Sequence, residues 1–249
     1  MDTIDLLWRN EVPSNKRGRP PKYSPDDVVD AAIAVADRTG SSFSLRDVAA
    51  QLGTPVMSLY SYVESREQLL ELMADVVRAE MALSSPAGDW RSSLVAIADD
   101  NLALFRAHPW LADLESERAT LGPGTLAKYE HELEAVEAFD LDDVEKDAIL
   151  TLLHDFARAS ARAQNHARQE RAEEDPQEWW EREGAKLAVL GIEARFPLAS
   201  RVGAAAGEAQ GAANNADTAY RFGLQTILDG VAARLAATAT TTADEEGRH

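Results

Sequence analysis

The run Lys16-Arg17-Gly18-Arg19-Pro20-Pro21-Lys22 places four cations in seven residues with no acid among them. That density suits the neutralisation of phosphates, which is binding chemistry rather than catalysis. The two prolines hold the backbone extended, and Gly18 permits close approach to a surface. Arg17 and Arg19 are cations of the kind that the enhanced negative potential of a narrow A·T minor groove attracts. A basic tail that touches only phosphates is the simpler reading. A second candidate is "VMSLYSYV", residues 56–63. Read as a helix, it turns Leu59 and Val63 inward as an (i, i+4) pair and leaves Val56, Met57, Ser58, Tyr60, Ser61 and Tyr62 facing out. Small groups and phenols of this kind fit a major groove, with hydroxyls free for phosphates. His154 beside Asp155 and Phe156 has the residue types of an acid–base pair, although a buried, satisfied polar pair is the expected reading.

Catalytic motifs are missing. The sequence has no P-loop, no glycine fingerprint for a nucleotide, no His-Glu-x-x-His and no Cys, and its five His residues are scattered without metal-ligand spacing. No catalytic residue, metal or cofactor is therefore expected, and the chain is not read as an enzyme. Its 249 residues are 45% hydrophobic but only 6% aromatic, with Ala dominant, which favours helices in one large domain or two smaller ones. No run approaches about 18 consecutive apolar residues, and "MDTIDLLWRNEV" lacks the pattern of a secretory signal. A cytoplasmic protein without membrane contact is expected. Charge is unevenly spread along the chain. Residues 1–70 carry 8 Lys+Arg and 10 Asp+Glu, a balance of −2, whereas residues 71–249 carry 17 and 33, a balance of −16. Any polyanion would be met by the N-terminal end alone.

The elements that must position these residues are punctuated clearly. Ser24-Pro25-Asp26-Asp27 is a helix start, with a Ser cap, Pro at the first position and two acids at the positive end of the dipole. Val28, Val29, Ala32, Ile33 and Ala36 give that helix its apolar face, and Gly40 ends it. Ser44 with Asp47 resembles a capping box ahead of a short helix carrying Leu45, Val48, Ala49 and Leu52. Gly53-Thr54-Pro55 breaks the chain, a second short helix over about 56–63 follows, and Ser65 caps a longer one reaching Met81. Two short helices joined by a tight turn and preceded by a stabilising helix form a helix-turn-helix.

The stretch "FSLRDVAAQLGTPVMSLYSYVESREQLLELM" resembles the N-terminal domain of the tetracycline-repressor (TetR) family of bacterial transcription regulators. The likeness rests on the Leu-Arg-x-Val-Ala-x-x-Leu-Gly block, Leu59-Tyr60-x-Tyr62-Val63 and Ser65-Arg66-x-x-Leu69-Leu70. A weaker similarity continues through "HPWLADLES", "LGPGTL" and "FGLQTILDGV". The resemblance implies phosphate contacts at Ser44, Thr54, Tyr60, Tyr62 and Arg66, a guanine contact at Arg46, and base reading at Val56, Met57 and Ser58. The "KRGRPPK" run resembles an AT-hook, which implies that Lys16, Arg17, Gly18 and Arg19 lie in the minor groove of DNA.

An all-α fold is thus expected, with an N-terminal helix-turn-helix domain and a C-terminal helical bundle for ligand binding and dimerisation. The expected divisions are a basic arm at 1–23, the DNA-binding domain at 24–70, the bundle at 71–237 and a disordered tail at 238–249. In the bundle, helices are expected over 89–108, 109 to about 116, 124–138, 142 to about 174, 176–191 and 218–237. Residues 199–216 are Gly- and Ala-rich and are expected to be only partly ordered. The resemblance implies a small-molecule effector, with Phe105, His131, Phe156, Asn165 and Trp179 as pocket candidates. It also implies a homodimer, with Gly223, Ile227 and Gly230 on the last helix at the interface. Ala82 and Thr120 fall near positions where tetracycline-binding members place His, so that drug and its metal are not implied. The function expected is a ligand-responsive dimeric regulator, a repressor released from a palindromic operator by a small molecule; the alternative is a DNA-architectural protein without a ligand.

Overall fold

The fold is known from a computed structural model that describes residues 2–11, 22–85, 88–114, 119–212 and 214–246, with side chains through residue 238. Among these residues every regular element is a helix. The DNA-binding head begins earlier than expected. Helix α1 (Thr3–Leu7) buries Leu6 and Leu7 in the core and rests on α5 (Arg66–Ala79). Trp8 Nε1 then donates to the Leu121 carbonyl at 2.9 Å, and Arg9 Nε to Asp26 at 3.0 Å. Residues 2–11 are therefore docked, and the expected arm boundary at residue 23 does not describe them. The reason lies in Leu6-Leu7, whose burial outweighs the polar surroundings that made the segment read as a tail.

Helix α2 (Pro25–Thr39) opens on a complete capping box between Ser24 and Asp27, and α3 (Leu45–Leu52) on another between Ser44 and Asp47. Hydrogen bonds from the Ser24 and Ser44 residues to these carboxylates hold both Asp27 and Asp47 below the ordinary carboxylate range. Gly53 ends α3 at φ 61°, in the left-handed region that glycine enters without strain. Helix α4 (Val56–Leu59) is a single turn, shorter than the expected 56–63. Ser61 explains the early end: its hydroxyl donates to the Ser58 carbonyl at 2.7 Å and its own N–H reaches the same oxygen at 3.3 Å. That carbonyl is the acceptor Tyr62 N–H would need to continue an α-helix. The chain still turns, because Tyr62 and Val63 N–H both bond to Leu59, so Leu59 and Val63 remain buried as an inward pair.

Helix α5 starts at the Ser65 cap and passes from the head into the body, where it packs on α8 (Pro123–Glu134). The body is built on α9 (Asp143–Glu173), against which lie α6 (Trp90–Ala107), α7 (Pro109–Ala112) and α13 (Ala216–Glu246). The pairs Glu145–Arg234 and Phe156–Tyr220 set α9 and α13 antiparallel. Head and body are locked by Asp37 of α2, which accepts from Trp110 Nε1 at 2.7 Å and lies 2.8 Å from His108 Nδ1.

Helices α10 (Pro176–Val189), α11 (Ile192–Arg195) and α12 (Pro197–Gln210) mainly contact one another. The segment expected to be partly ordered is thus largely α12. Its alanines support the helix, and Trp180 packs against it at Gly207, where a Cβ would come within 2.5 Å of the indole. Helix α13 continues to Glu246 rather than fraying at 238, because each residue added to an existing helix closes one more hydrogen bond. Residues 247–249 lie outside the described residues.

Candidate DNA-binding face and the polar centre of the bundle

The helix-turn-helix presents an outer face with few internal partners. Met57 is 76% exposed and Tyr60 48% exposed. Arg46 and Ser44 are exposed on or beside α3; Thr54, Ser58 and Tyr62 are half-buried, and Val56 packs partly on the core. The Ser44 hydroxyl bonds to the Asp47 carboxylate at 2.6 Å, so its first role is capping. Arg66 also differs from expectation. Its Nε donates to the Phe43 carbonyl at 3.0 Å, a terminal nitrogen donates to the Ser41 carbonyl, and the guanidinium lies 4.8 Å from the Phe43 ring centroid. Arg66 therefore clamps the approach to α3 onto the start of α5 and is not a free surface cation.

Lys16, Arg17, Gly18 and Arg19 lie outside the described residues. Residues 11 and 22 are the nearest described ones. Arg9 bonds to Asp26 on α2, while the Tyr23 hydroxyl donates to the Leu52 carbonyl at the end of α3. Arg9 and Tyr23 are thus both fixed on the head, Tyr23 beside the turn of the motif.

The body holds a buried charged cluster. Lys128 Nζ donates to both carboxylate oxygens of Glu132 at 2.7 Å, Asn101 Nδ2 donates to Oε1 at 2.7 Å, and His154 Nε2 lies 2.8 Å from Oε2. Burial alone would push the Glu132 carboxyl up, but His154 and Lys128 outweigh it and bring it down to about 2. Burial holds the Lys128 ammonium below its ordinary range against the opposing pull of Glu132. His154 is therefore in a buried polar set, but its partner is Glu132 from α8; Asp155 is exposed and pairs with Arg158. The one legible signal was the Lys128–Glu132 (i, i+4) spacing.

A second polar tie links α5 to α8. Asp75, buried on α5, accepts from Gly124 N–H at 3.2 Å, Thr125 N–H at 2.8 Å and the Thr125 hydroxyl at 2.9 Å. It thereby caps α8 from another helix, and Gly122 and Gly124 leave it room: a Cβ at Gly124 would lie 2.2 Å from the Asp75 carbonyl.

Of the pocket candidates, Phe105 lies in the hydrophobic core cluster and Phe156 packs against it. Phe156 stacks on Tyr220 with centroids 5.4 Å apart, and the Tyr220 hydroxyl donates to Asp99 at 2.7 Å. Burial, then that carboxylate, hold the phenol well above its ordinary range. Phe105 is buried in the core, and Asn165 keeps a buried Oδ1 without a partner. His131 lies elsewhere, 3.0 Å from the Ser84 carbonyl, and Trp179 is exposed on α10 beside Trp180. Among the interface candidates, Gly223 is used inside the protomer, since a Cβ there would lie 2.6 Å from the Phe156 ring. Ile227 packs partly on the core, while a Cβ at Gly230 would meet open space. No described group of three or more His, Asp or Glu is placed to hold a metal ion, and no described helix is long and apolar enough to cross a membrane.

The sequence profile described as "Tetracyclin repressor-like, C-terminal domain" matches residues 84–235, more than half of the chain. The chain belongs to the TetR family. Within that family it is 34% identical over 243 residues to the HTH-type transcriptional repressor DrrR1 of Streptomyces coeruleorubidus, covering 92% of this chain and 84% of the relative. The fold matches that of apo ActR from Streptomyces coelicolor with a TM-score of 0.67 at 23% identity, covering 86% of this chain and 99% of that one. A second regulator from Streptomyces coelicolor A3(2), described as putative in function, matches with a TM-score of 0.62 at 28% identity over 87% and 98% of the two chains. This TetR-family chain is accordingly a DNA-binding transcriptional regulator, with its helix-turn-helix at α3–α4.

Proposed function

We propose that this TetR-family protein is a homodimeric repressor that releases a palindromic operator when a small molecule enters its C-terminal bundle. The observation that carries the reading is the outer face of the capped helix-turn-helix, where Met57 and Tyr60 find nothing in the protomer to bury them. The body is acidic and the head nearly neutral, so DNA is approached through the head. Val56, Met57 and Ser58 read the major groove through apolar and hydroxyl contacts, Arg46 reaches a guanine from α3, and Thr54, Tyr60 and Tyr62 hold the flanking backbone. Release is carried by α5, because this helix bears the head at one end and is tied through Asp75 to α8 at the other. A ligand that moves α8 against α9 therefore tilts the head. ActR, of the same fold, is described in complex with actinorhodin, which supports a fold able to take a small molecule.

Tyr60→Ala should weaken binding to an operator selected from random DNA by about 1–3 kcal/mol, the worth of a phosphate or charge-assisted hydrogen bond, with an unchanged melting temperature. Arg66→Ala should lower both, because it also releases the Ser41 and Phe43 carbonyls. Fluorescence anisotropy and thermal melting read the two effects separately, and unchanged affinity in Tyr60→Ala refutes the assigned face.

The dimer is proposed along α9 and α13, where Val144, Leu152 and Phe222 stand exposed on two helices that pack together. Gly230→Leu should shift the dimer towards monomer in size-exclusion with light scattering. Gly223→Leu should instead destabilise the protomer by about 1–3 kcal/mol through overpacking on Phe156. Wild type that elutes as a monomer at micromolar concentration removes the dimer.

A further inference from the structure

We propose that the cleft where the C-terminal end of α6, the second half of α9 and the start of α13 meet binds the carboxylate of a small organic acid. Arg106, Arg168 and Arg171 line this cleft of about 120 Å³, together with Gln164 and Asp217. Gln164, Arg168 and Arg171 follow the i, i+4, i+7 spacing of one helix face, so α9 itself aligns them. Arg168 and Arg171 form no ion pair among the described residues, in a chain where acids outnumber bases 43 to 25. Two guanidiniums left unpaired on one cleft wall in so acidic a protein offer an anion charge-assisted hydrogen bonds.

Gln164 supplies the second, independent observation. It is only 7% exposed, and its Oε1 accepts from Arg106 Nε at 2.8 Å, which fixes the orientation of the amide. Its Nε2 is buried with no acceptor in the protein. A buried donor without a partner is costly, and Gln164, which carries it, lies in the wall of the cleft. Arg106 is held between Gln164 and Asp217, the latter at 3.4 Å, so its guanidinium is pre-oriented rather than free to swing. Asp217 offsets one of the three cations, and the remaining excess of two suits a mono- or dicarboxylate. Small Ala167 and Ala216 leave the space open. The volume is well below the roughly 300–1,000 Å³ of a pocket that encloses a whole drug-sized ligand, so the cleft takes the acidic end of the molecule.

The link to DNA release rests on the reading of the bundle as the effector-binding part; binding in the cleft does not. The test uses the full-length protein and isothermal titration calorimetry with salicylate, succinate, their neutral amides and inorganic phosphate. Wild type is compared with Arg168→Gln/Arg171→Gln and with Gln164→Leu, and thermal melting verifies that each variant folds. The expected result is saturable binding of at least one carboxylate, no binding of its amide, and a loss of at least tenfold in the double arginine variant, whose exposed positions leave the fold intact. Neither acid bound by wild type, an amide bound as well as its acid, phosphate bound as tightly as the carboxylates, or equal affinity in the arginine variant overturns the proposal. Operator binding measured with the same acids separates the two readings. Binding in the cleft without any effect on DNA retires the link to release and keeps the site. Release of DNA from wild type and arginine variant alike retires the site and keeps the effector.

Discussion

Glu132→Gln is expected to cost about 3–5 kcal/mol of folding stability, the penalty for leaving the other half of a buried ion pair without its partner. The Glu132 side chain is 1% exposed and that of Lys128 8% exposed, and both carboxylate oxygens are taken up by Lys128, Asn101 and His154. An amide of the same shape retains a hydrogen bond but not the charge, so the ammonium must shed its proton or draw in water. Urea unfolding would measure the loss. The double variant Lys128→Met/Glu132→Leu should recover most of it, since a well-packed apolar pair avoids the desolvation of two ions.

The same residue sets a pH window. The carboxyl of Glu132 titrates at about 2 in the folded chain, against an ordinary 4.5. Between these values the unfolded chain binds the proton more readily, so stability rises with pH there. The contribution is present in full above about 4.5 and is lost as pH falls through about 2. It amounts to about 3 kcal/mol, taken from the width of that window. Unfolding free energies of wild type across this range should therefore fall more steeply towards acid than those of Glu132→Gln. Parallel curves contradict the assignment.

Replacing Lys16, Arg17 and Arg19 together by Gln should flatten the salt dependence of operator binding by about five units of slope, if each cation on both protomers neutralises one phosphate at about −0.9 per contact. Between about 50 and 200 mM salt that difference corresponds to roughly 10³-fold in relative affinity. Substitution is the right comparison, because deleting the N-terminal residues would also remove Leu6 and Leu7 from the core and the Arg9–Asp26 pair. A basic segment that met only phosphates would flatten the slope as well. Exchanging A·T for G·C pairs beside each half-site distinguishes the two, since the exocyclic amine of guanine obstructs the groove floor. Wild type should lose affinity on that exchange and the triple variant should not. Equal sensitivity in both would leave the segment as an electrostatic tether.

Elements whose causes lie within a few residues were legible along the chain. The Ser24–Asp27 and Ser44–Asp47 boxes, the left-handed Gly53 and the Ser65 cap each depend on partners no more than four or five positions away. The helix-turn-helix could be placed from them, and so could the inward pair Leu59 and Val63. Even the shortness of α4 is local, set by Ser61 and the Ser58 carbonyl, although helix spacing alone did not show which hydrogen bond would win. Charge asymmetry likewise needed no fold.

By itself, then, the sequence determined the order of helices α2 to α10 and the last helix, the motif that meets DNA and the end of the molecule that carries it. Tertiary structure alone decided what the side chains do once distant segments meet. It gave Arg66 to the Ser41 and Phe43 carbonyls, His154 to Glu132, Asp75 to the start of α8, and Gly223 to Phe156. It also docked Leu6 and Leu7, which no local rule required. The physical reason is common to all of these. A cap closes within one turn of its own backbone, whereas a buried charge or a close approach takes its energy from a partner brought near only by packing, and desolvation there decides which pairs must form.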